Sequence, residues 1–330
     1  MDGPATAPLP LTRESVQRAH EVISSHVHRT PLLSSSSLSH DTGTTLLFKA
    51  ENMNRSGSFK IRGAAYSVAC LTDEERARGV VTQSSGNHAA ALALIARDNN
   101  LAAHIVSPRT APPAKLAAVR AYGGDLTLCD ASIESREAAL AEVQQRTGAC
   151  YVPPSDAVNT ILAQGTVFLE AEEQAKEGGW GGLGAIIAPV GGAGLLGGIA
   201  VAARGTGVRV FGAEPAGADD CVRGLADGRR LTDFTPNTIA DGLLTPVGAN
   251  NWPIVQQDVE KVLTVTDGEI IDAQRLLWQR LKTVVEPSGA VAFALARSQK
   301  FRDLGVEGPV CVVLSGGNVD LDAPPPWVKA

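Results

Sequence analysis

The chain has 330 residues, enough for one large core or two domains, with 44% apolar and 19% charged residues. Its net charge of -6 comes without a basic block, which argues against nucleic acid or an anionic membrane as partner. The five cysteines (Cys70, Cys129, Cys150, Cys221, Cys311) are odd in number and lack a short paired spacing. That argues against a disulfide framework or a zinc site and fits a reducing compartment, so a cytoplasmic protein is expected.

The first dozen residues are rich in Pro and Ala, carry no secretory pattern and read as a frayed leader. Thr12 is placed to cap a first helix running to Ser25. After the low-complexity run Ser34 to Ser37, Leu46 to Ala50 reads as a short strand. Turn-forming residues follow, Asn54-Arg55-Ser56-Gly57-Ser58, then Phe59 and Lys60, which opens an apolar, helix-compatible run to about Leu71. Gly79 to Gln83 is a strand ending in Ser84-Ser85-Gly86-Asn87-His88, with an apolar helix from Ala89 to Ala96. Ala102 to Val106 is a strand. Pro112-Pro113 opens a helix through Tyr122, which Gly123-Gly124 ends. Asp125 to Leu128 is a strand and Ser132 to Arg146 a helix.

No charge occurs between Glu177 and Arg204, a length that suggests a membrane span. Its many glycines and the central Pro189 read better as a buried strand (Ala185 to Val190), a glycine loop and a buried helix. Val208 to Ala213 and Val310 to Leu314 are further buried strands. Alternating strands and helices imply an α/β fold with mostly parallel sheet.

Lys60 carries the most chemistry. The dipole at a helix start disfavours a cation, and the same placement favours the neutral amine that Schiff-base formation needs. A solvated surface lysine is the plain alternative. Gly192-Ala193-Gly194-Leu195-Leu196-Gly197 matches the dinucleotide fingerprint, follows a strand and precedes a helix. Glu214 lies ~20 residues on, where a ribose-binding acid belongs. An NAD-dependent dehydrogenase is therefore a rival reading, and a structural tight turn another. Backbone N–H groups at a helix N-terminus bind phosphate in either cofactor.

Five segments occur in order: Asn54-Arg55-Ser56-Gly57-Ser58-Phe59-Lys60-Ile61-Arg62-Gly63-Ala64, Ser84-Ser85-Gly86-Asn87-His88, Gly191-Gly192-Ala193-Gly194-Leu195, Glu286-Pro287-Ser288-Gly289 and Ser315-Gly316-Gly317-Asn318. Together they resemble the fold type II pyridoxal-phosphate (PLP) enzymes, the tryptophan synthase β-like group. Glu214 to Cys221, Thr238-Ile239-Ala240-Asp241-Gly242 and Asn251-Trp252-Pro253 are similar to the serine racemase and serine/threonine dehydratase branch. The resemblance implies a small domain of residues 82–152 inserted in a large PLP-binding domain (1–81 and 153–330), with the site in the cleft between them. It also implies a homodimer acting on a small amino acid, without the C-terminal regulatory domain of biosynthetic threonine deaminases.

Residue by residue, the resemblance implies that Lys60 carries the cofactor and takes the α-proton. Gly191, Gly192, Ala193, Gly194 and Leu195 cradle its phosphate, with Ala193 where a glycine is common. Ser315 meets the pyridine nitrogen, a weak partner that suits racemisation or β-elimination better than transamination. Asn87 lies beside the ring 3′-oxygen, Phe59 packs near the ring and Glu286 sits on its other side, unless it is a solvated carboxylate before a turn. Ser85 is the acid/base on the second face, a role a dehydratase does not need. Ser84, Ser85, Asn87 and His88 bind substrate at a helix N-terminus, or the serines only cap that helix. Ala89-Ala90 replaces the common Gly-Gln and changes the wall near the substrate. Arg136 reaches a substrate carboxylate, which would favour a dicarboxylic substrate such as 3-hydroxyaspartate, or pairs with a nearby glutamate on its helix. Glu214, the Ala218 carbonyl and Asp220 match a Mg²⁺ or Ca²⁺ site, against the alternative of an acidic surface loop.

Overall fold

Ten strands in two sheets make up the β-structure of the computed structural model, which describes residues 10–84 and 86–328. In chain order they are β1 (Leu32–Ser34), β2 (Leu46–Lys49), β3 (Val80–Gln83), β4 (Ala103–Pro108), β5 (Asp125–Cys129), β6 (Cys150–Tyr151), β7 (Ala185–Pro189), β8 (Arg209–Pro215), β9 (Lys261–Val265) and β10 (Val310–Val313). The larger sheet has the order β1-β2-β10-β7-β8-β9, with only β1 antiparallel. The smaller has the order β5-β4-β3-β6 and is parallel throughout.

Parallel strands need helical crossovers, which cover both faces and make the central strands apolar on both sides. β2, β7 and β10 are buried along their whole length. Side chains alternate across the large sheet: Ile186, Ala188, Cys311 and Val313 enter one core, Ala185, Ile187, Val310 and Val312 the other. The first core continues into the small sheet through Val80, Ile105 and the buried helix Asn87–Asp98.

Most predicted elements lie within two residues of their observed bounds. Thr12 caps the helix Arg13–Ile23 by accepting from the Ser15 N–H, and Ser132 caps Ile133–Thr147 in the same way. The serine run is not featureless: Ser35 caps a helix, Ser36–Thr42. The helix expected over Ala89 to Ala96 runs from Asn87 to Asp98, so the turn preceding it is shorter than the sequence suggests. The sequence reading passed over the 20-residue helix Val158–Glu177. Its buried Gln164, Thr166 and Glu170 break the apolar pattern that would have marked it.

That long helix crosses Gly194–Ala203 very closely. A Cβ on Gly198 would lie 2.2 Å from the Ile161 carbonyl oxygen, and one on Gly165 would lie 2.5 Å from that of Gly198. The two glycines therefore let the backbones touch and fix where the second helix begins. The charge-free stretch is a buried strand, loop and buried helix as read. Among the described residues no helix is long and apolar enough to cross a membrane.

Candidate active site

A buried ion cluster anchors the loop before Lys60. Arg62 lies on the same helix, Lys60–Ala69. It donates to both oxygens of Glu51 at 2.8 Å and to both of Glu170 at 2.6 and 2.8 Å. Lys49 Nζ donates to Glu170 at 2.6 Å, and Thr30 Oγ1 to Glu51 at 2.6 Å. All four charged side chains are at most 2% exposed, so they must satisfy one another. Arg62 holds the Glu51 carboxyl down to about 2 against the opposing effect of burial. Glu51 in turn accepts from Asn54 Nδ2 at 3.1 Å, and the Asn54 carbonyl accepts the Gly57 N–H at 2.7 Å. Gly57 has φ +74, a left-handed turn that favours glycine. From there the Phe59 N–H donates to the Ser315 carbonyl at 3.1 Å, tying the lysine loop to the end of β10.

Lys60 is the first residue of its helix and projects into a cavity of about 140 Å³ between the sheets. Its Nζ donates to the Pro154 carbonyl at 2.7 Å and lies 5.0 Å from the Phe59 ring centre. Enclosure, with no carboxylate to offset it, pulls the amine down to about 8. A solvated surface lysine is thus ruled out. The cause is desolvation, and the lysine stands at the helix start as the sequence suggests.

The glycine loop forms the opposite wall. Ala193 precedes the helix Gly194–Ala203 with φ +62, and no side chain caps that helix. Its first N–H groups have no acceptor within the helix. A Cβ on Gly192 or Gly194 would come within 2.4 Å of Ser155 Oγ or 2.7 Å of the Ser155 carbonyl oxygen. The loop is therefore a bare cradle of donors with room for an anion and none for side chains. Asn251 Nδ2 holds it from behind, donating to the Gly192 carbonyl at 2.9 Å.

Lys60, Phe59, Ser84, Asn87, His88, Arg136, Gly191, Gly192, Ala193, Gly194, Leu195, Glu286 and Ser315 all line this cavity. Ser85 lies outside the described residues. Ser84 Oγ accepts the Gly86 N–H at 3.3 Å, and Gly86, not a serine, is the helix cap. His88 is 2% exposed, with Nε2 3.0 Å from the Val152 carbonyl oxygen; burial pushes its pKa down to about 3, so it is neutral. Arg136 makes no ion pair among the described residues, and its Nε is buried without a partner. The pairing with a helix glutamate is not observed. Ser315 is 4% exposed, and its Oγ donates to the Ser288 carbonyl at 3.4 Å.

Glu286 is 2% exposed, so it is not a solvated turn carboxylate. Its Oε1 accepts from Asn87 Nδ2, while Asn87 Oδ1 accepts from Asn318 Nδ2 at 2.9 Å. Its Oε2 lies 3.2 Å from Lys115 Nζ, an ion pair off the hydrogen-bond axis. Lys115 also donates to Asp241 Oδ2 at 2.6 Å. The sequence reading missed Lys115 and Ser155, which line the cavity, and gave Asn318 only as part of a motif. Lys115 sits on a helix that read as ordinary, and its partners lie more than a hundred residues away.

Glu214 and Asp220 are 1% and 2% exposed, which rules out an acidic surface loop. Burial raises Glu214 to about 8 and Asp220 to about 6. Glu214 accepts the Cys221 and Val222 N–H groups at 2.9 Å, and Asp220 accepts that of Val247 at 3.0 Å. No ion pair reaches either carboxylate, and no cluster of three or more metal-binding side chains occurs among the described residues. Two buried carboxylates held by backbone N–H groups, with the Ala218 carbonyl and water, would make a hard oxygen set for a cation.

An enclosed lysine amine of lowered pKa opposite a glycine-loop anion cradle fits a phosphate-bearing aldehyde cofactor. The profile described as "Pyridoxal-phosphate dependent enzyme" matches residues 23–316. The chain belongs to this family of pyridoxal-phosphate enzymes, which decides against the dinucleotide reading of the glycine loop. Serine racemase of Oryza sativa subsp. indica is 44% identical over 312 residues, covering 93% of this chain and 91% of the relative. The beta-hydroxyaspartate dehydratase of Paracoccus denitrificans (strain Pd 1222) is 42% identical over 316 residues, covering 95% and 98%. The structure of maize serine racemase superposes with a TM-score of 0.91 at 44% identity, covering 94% of each chain.

Proposed function

We propose that the protein racemises serine or a close β-hydroxy amino acid, eliminates its β-hydroxyl, or does both. The products are the D-amino acid, or a keto acid and ammonia. Relatives that carry racemase and dehydratase names support this reading. The observation that carries it is the Lys60 amine, lowered to about 8 in the cavity that the glycine loop walls.

Bound PLP supplies an electron sink for the pair left when the α-proton departs. Gly191, Gly192, Ala193, Gly194 and Leu195 would hold the phosphate through backbone N–H groups, and Ser315 would meet the pyridine nitrogen. Phe59 would pack near the ring, with Asn87 beside its 3′-oxygen and Glu286 on its other side. Ser84, Ser85, Asn87 and His88 hold the substrate carboxylate. Lys60 Nζ takes the α-proton on one face. Ser85 returns a proton on the other face in racemisation and is not needed in elimination. Elimination expels the hydroxyl as water, and hydrolysis consumes one water, so the net products from serine are keto acid and ammonia. Only a few kcal/mol in relative barriers separate the two outcomes.

A second reading, dehydration of a dicarboxylic β-hydroxy amino acid such as 3-hydroxyaspartate, is favoured by Arg136. Its buried Nε has no partner among the described residues, as expected of a group awaiting a carboxylate. We also infer a Mg²⁺ or Ca²⁺ site at Glu214, Ala218 and Asp220, a small domain of residues 82–152, a homodimer and a cytoplasmic location. The small sheet, whose strands fall within residues 80–151, supports the domain division. The five free thiols support a reducing compartment.

The test is a visible spectrum, then addition of L-serine, L-threonine and L-threo-3-hydroxyaspartate with Mg²⁺, assaying keto acid and D-amino acid. A band near ~410–420 nm and turnover of one of the three are expected. No band after PLP reconstitution, or no product from any of them, overturns the reading.

A further inference from the structure

The cleft is bridged by a chain of polar contacts: Asp241, Lys115, Glu286, Asn87, Asn318 and Ser56. Lys115 comes from the helix Pro113–Ala121, between β4 and β5 of the small sheet, and crosses to Asp241 and Glu286, which belong with the large sheet. Asn87 also comes from the small-sheet side, and Asn318 from beyond β10. Asn318 Nδ2 donates at 2.9 Å to both Asn87 Oδ1 and the Ser56 carbonyl. The Asn87 amide thus has its oxygen claimed by Asn318 and one N–H claimed by Glu286, and its second N–H meets no acceptor among the described residues.

This arrangement requires that Glu286 turn an accepting oxygen, Oε1, to Asn87. Lys115 beside Oε2 fixes which oxygen that is; a carboxyl released from Lys115 could present a protonated oxygen to Asn87, and the amide would have to turn round or lose the contact. Burial raises the Glu286 pKa and Lys115 opposes that rise; Lys115 and Asp241 are the charged groups facing it. Lys115, 8% exposed, pays for its own burial through these two carboxylates, which keep it cationic.

We propose that Lys115 is a positioning residue: by holding Glu286 Oε2 it keeps Oε1 on one Asn87 N–H and leaves the other for the cofactor ring. This rests on the reading above that Asn87 stands beside the ring 3′-oxygen. A donor at that oxygen favours its anionic form. Lys115 therefore governs the proton on the ring oxygen without touching the ring.

The test uses the holoenzyme, PLP as probe, and the Lys115→Met, Lys115→Gln and Lys115→Arg variants. The readout is the ratio of visible to near-ultraviolet cofactor absorbance at fixed pH, with the PLP dissociation constant measured alongside. Lys115→Met is expected to lower the ratio by about threefold, equivalent to about half a pKa unit on the ring oxygen. Lys115→Arg is expected to restore it. If Lys115→Met does not fold, Lys115→Gln, which keeps a donor and drops the charge, is expected to lower the ratio likewise. The effect is expected to vanish in a Glu286→Gln background. A PLP-loaded Lys115→Met or Lys115→Gln protein with the wild-type ratio overturns the proposal, as does an undiminished effect without Glu286. A wild-type protein with no visible band sinks the cofactor-site reading instead, so the two failures are distinguishable.

Discussion

Lys60 Nζ donates a 2.7 Å hydrogen bond to the carbonyl of Pro154, on the segment that leaves the small sheet. The acceptor is neutral, so the contact orients the amine without holding a proton on it by charge. With a pKa of about 8, the amine is about one-tenth neutral at pH 7 and about nine-tenths neutral at pH 9. Capture of PLP by the apoprotein is therefore expected to accelerate with pH and level off above about 8. Stopped-flow absorbance would check this; a rate independent of pH between 6 and 9 would contradict the lowered pKa. Lys60→Ala is expected to abolish the visible band and turnover.

Ser85→Ala is expected to suppress racemisation far more than elimination of the L-substrate. Product analysis of D-amino acid against keto acid, at matched cofactor loading, distinguishes the two. Equal loss of both activities rejects Ser85 as the second-face acid/base.

Arg136→Met tests the second substrate reading. Loss of a charge-assisted contact worth about 1.5–3 kcal/mol is expected to lower kcat/KM for 3-hydroxyaspartate by about 10- to 100-fold. Turnover of serine, which lacks the second carboxylate, should change little. A parallel fall for both substrates would assign Arg136 to general substrate binding.

The buried cluster of Lys49, Glu51, Arg62 and Glu170 makes a stability prediction. Lys49→Met removes one cation and leaves Glu170 with less compensation. Breaking such a pair costs about 3–5 kcal/mol. Denaturant titration of the apoprotein is expected to show a loss of this order; a loss below about 1 kcal/mol would mean the cluster behaves like a surface pair.

Chelator treatment followed by Mg²⁺ or Ca²⁺ tests the cation site. A cation bound only by the folded protein, at a hundred times its dissociation constant, adds about 2.7 kcal/mol. A clear rise in Tm is expected for wild type and none for Glu214→Gln. An equal rise in both would place any cation elsewhere.

Much of the site was legible in the chain. Thr12 and Ser132 announced their helices, because a cap is a contact between residues three apart. The glycine loop announced an anion cradle, and Lys60 an unusual amine, because each motif contains its own turn, helix start and reactive group. The helix Val158–Glu177 escaped, because Gln164, Thr166 and Glu170 are buried in it. Polar residues at core positions erase the periodicity that marks a helix.

The order of strands, motifs and glycines along the chain was thus enough to specify a mostly parallel α/β protein of the pyridoxal-phosphate family. It could not show that Lys115 meets Asp241 and Glu286, that Arg136 lacks an ion pair among the described residues, or that desolvation lowers Lys60. Those depend on which charges come within a few ångströms and how much water is excluded around them. Both are set by long-range packing of the two sheets, and a local motif carries no record of either.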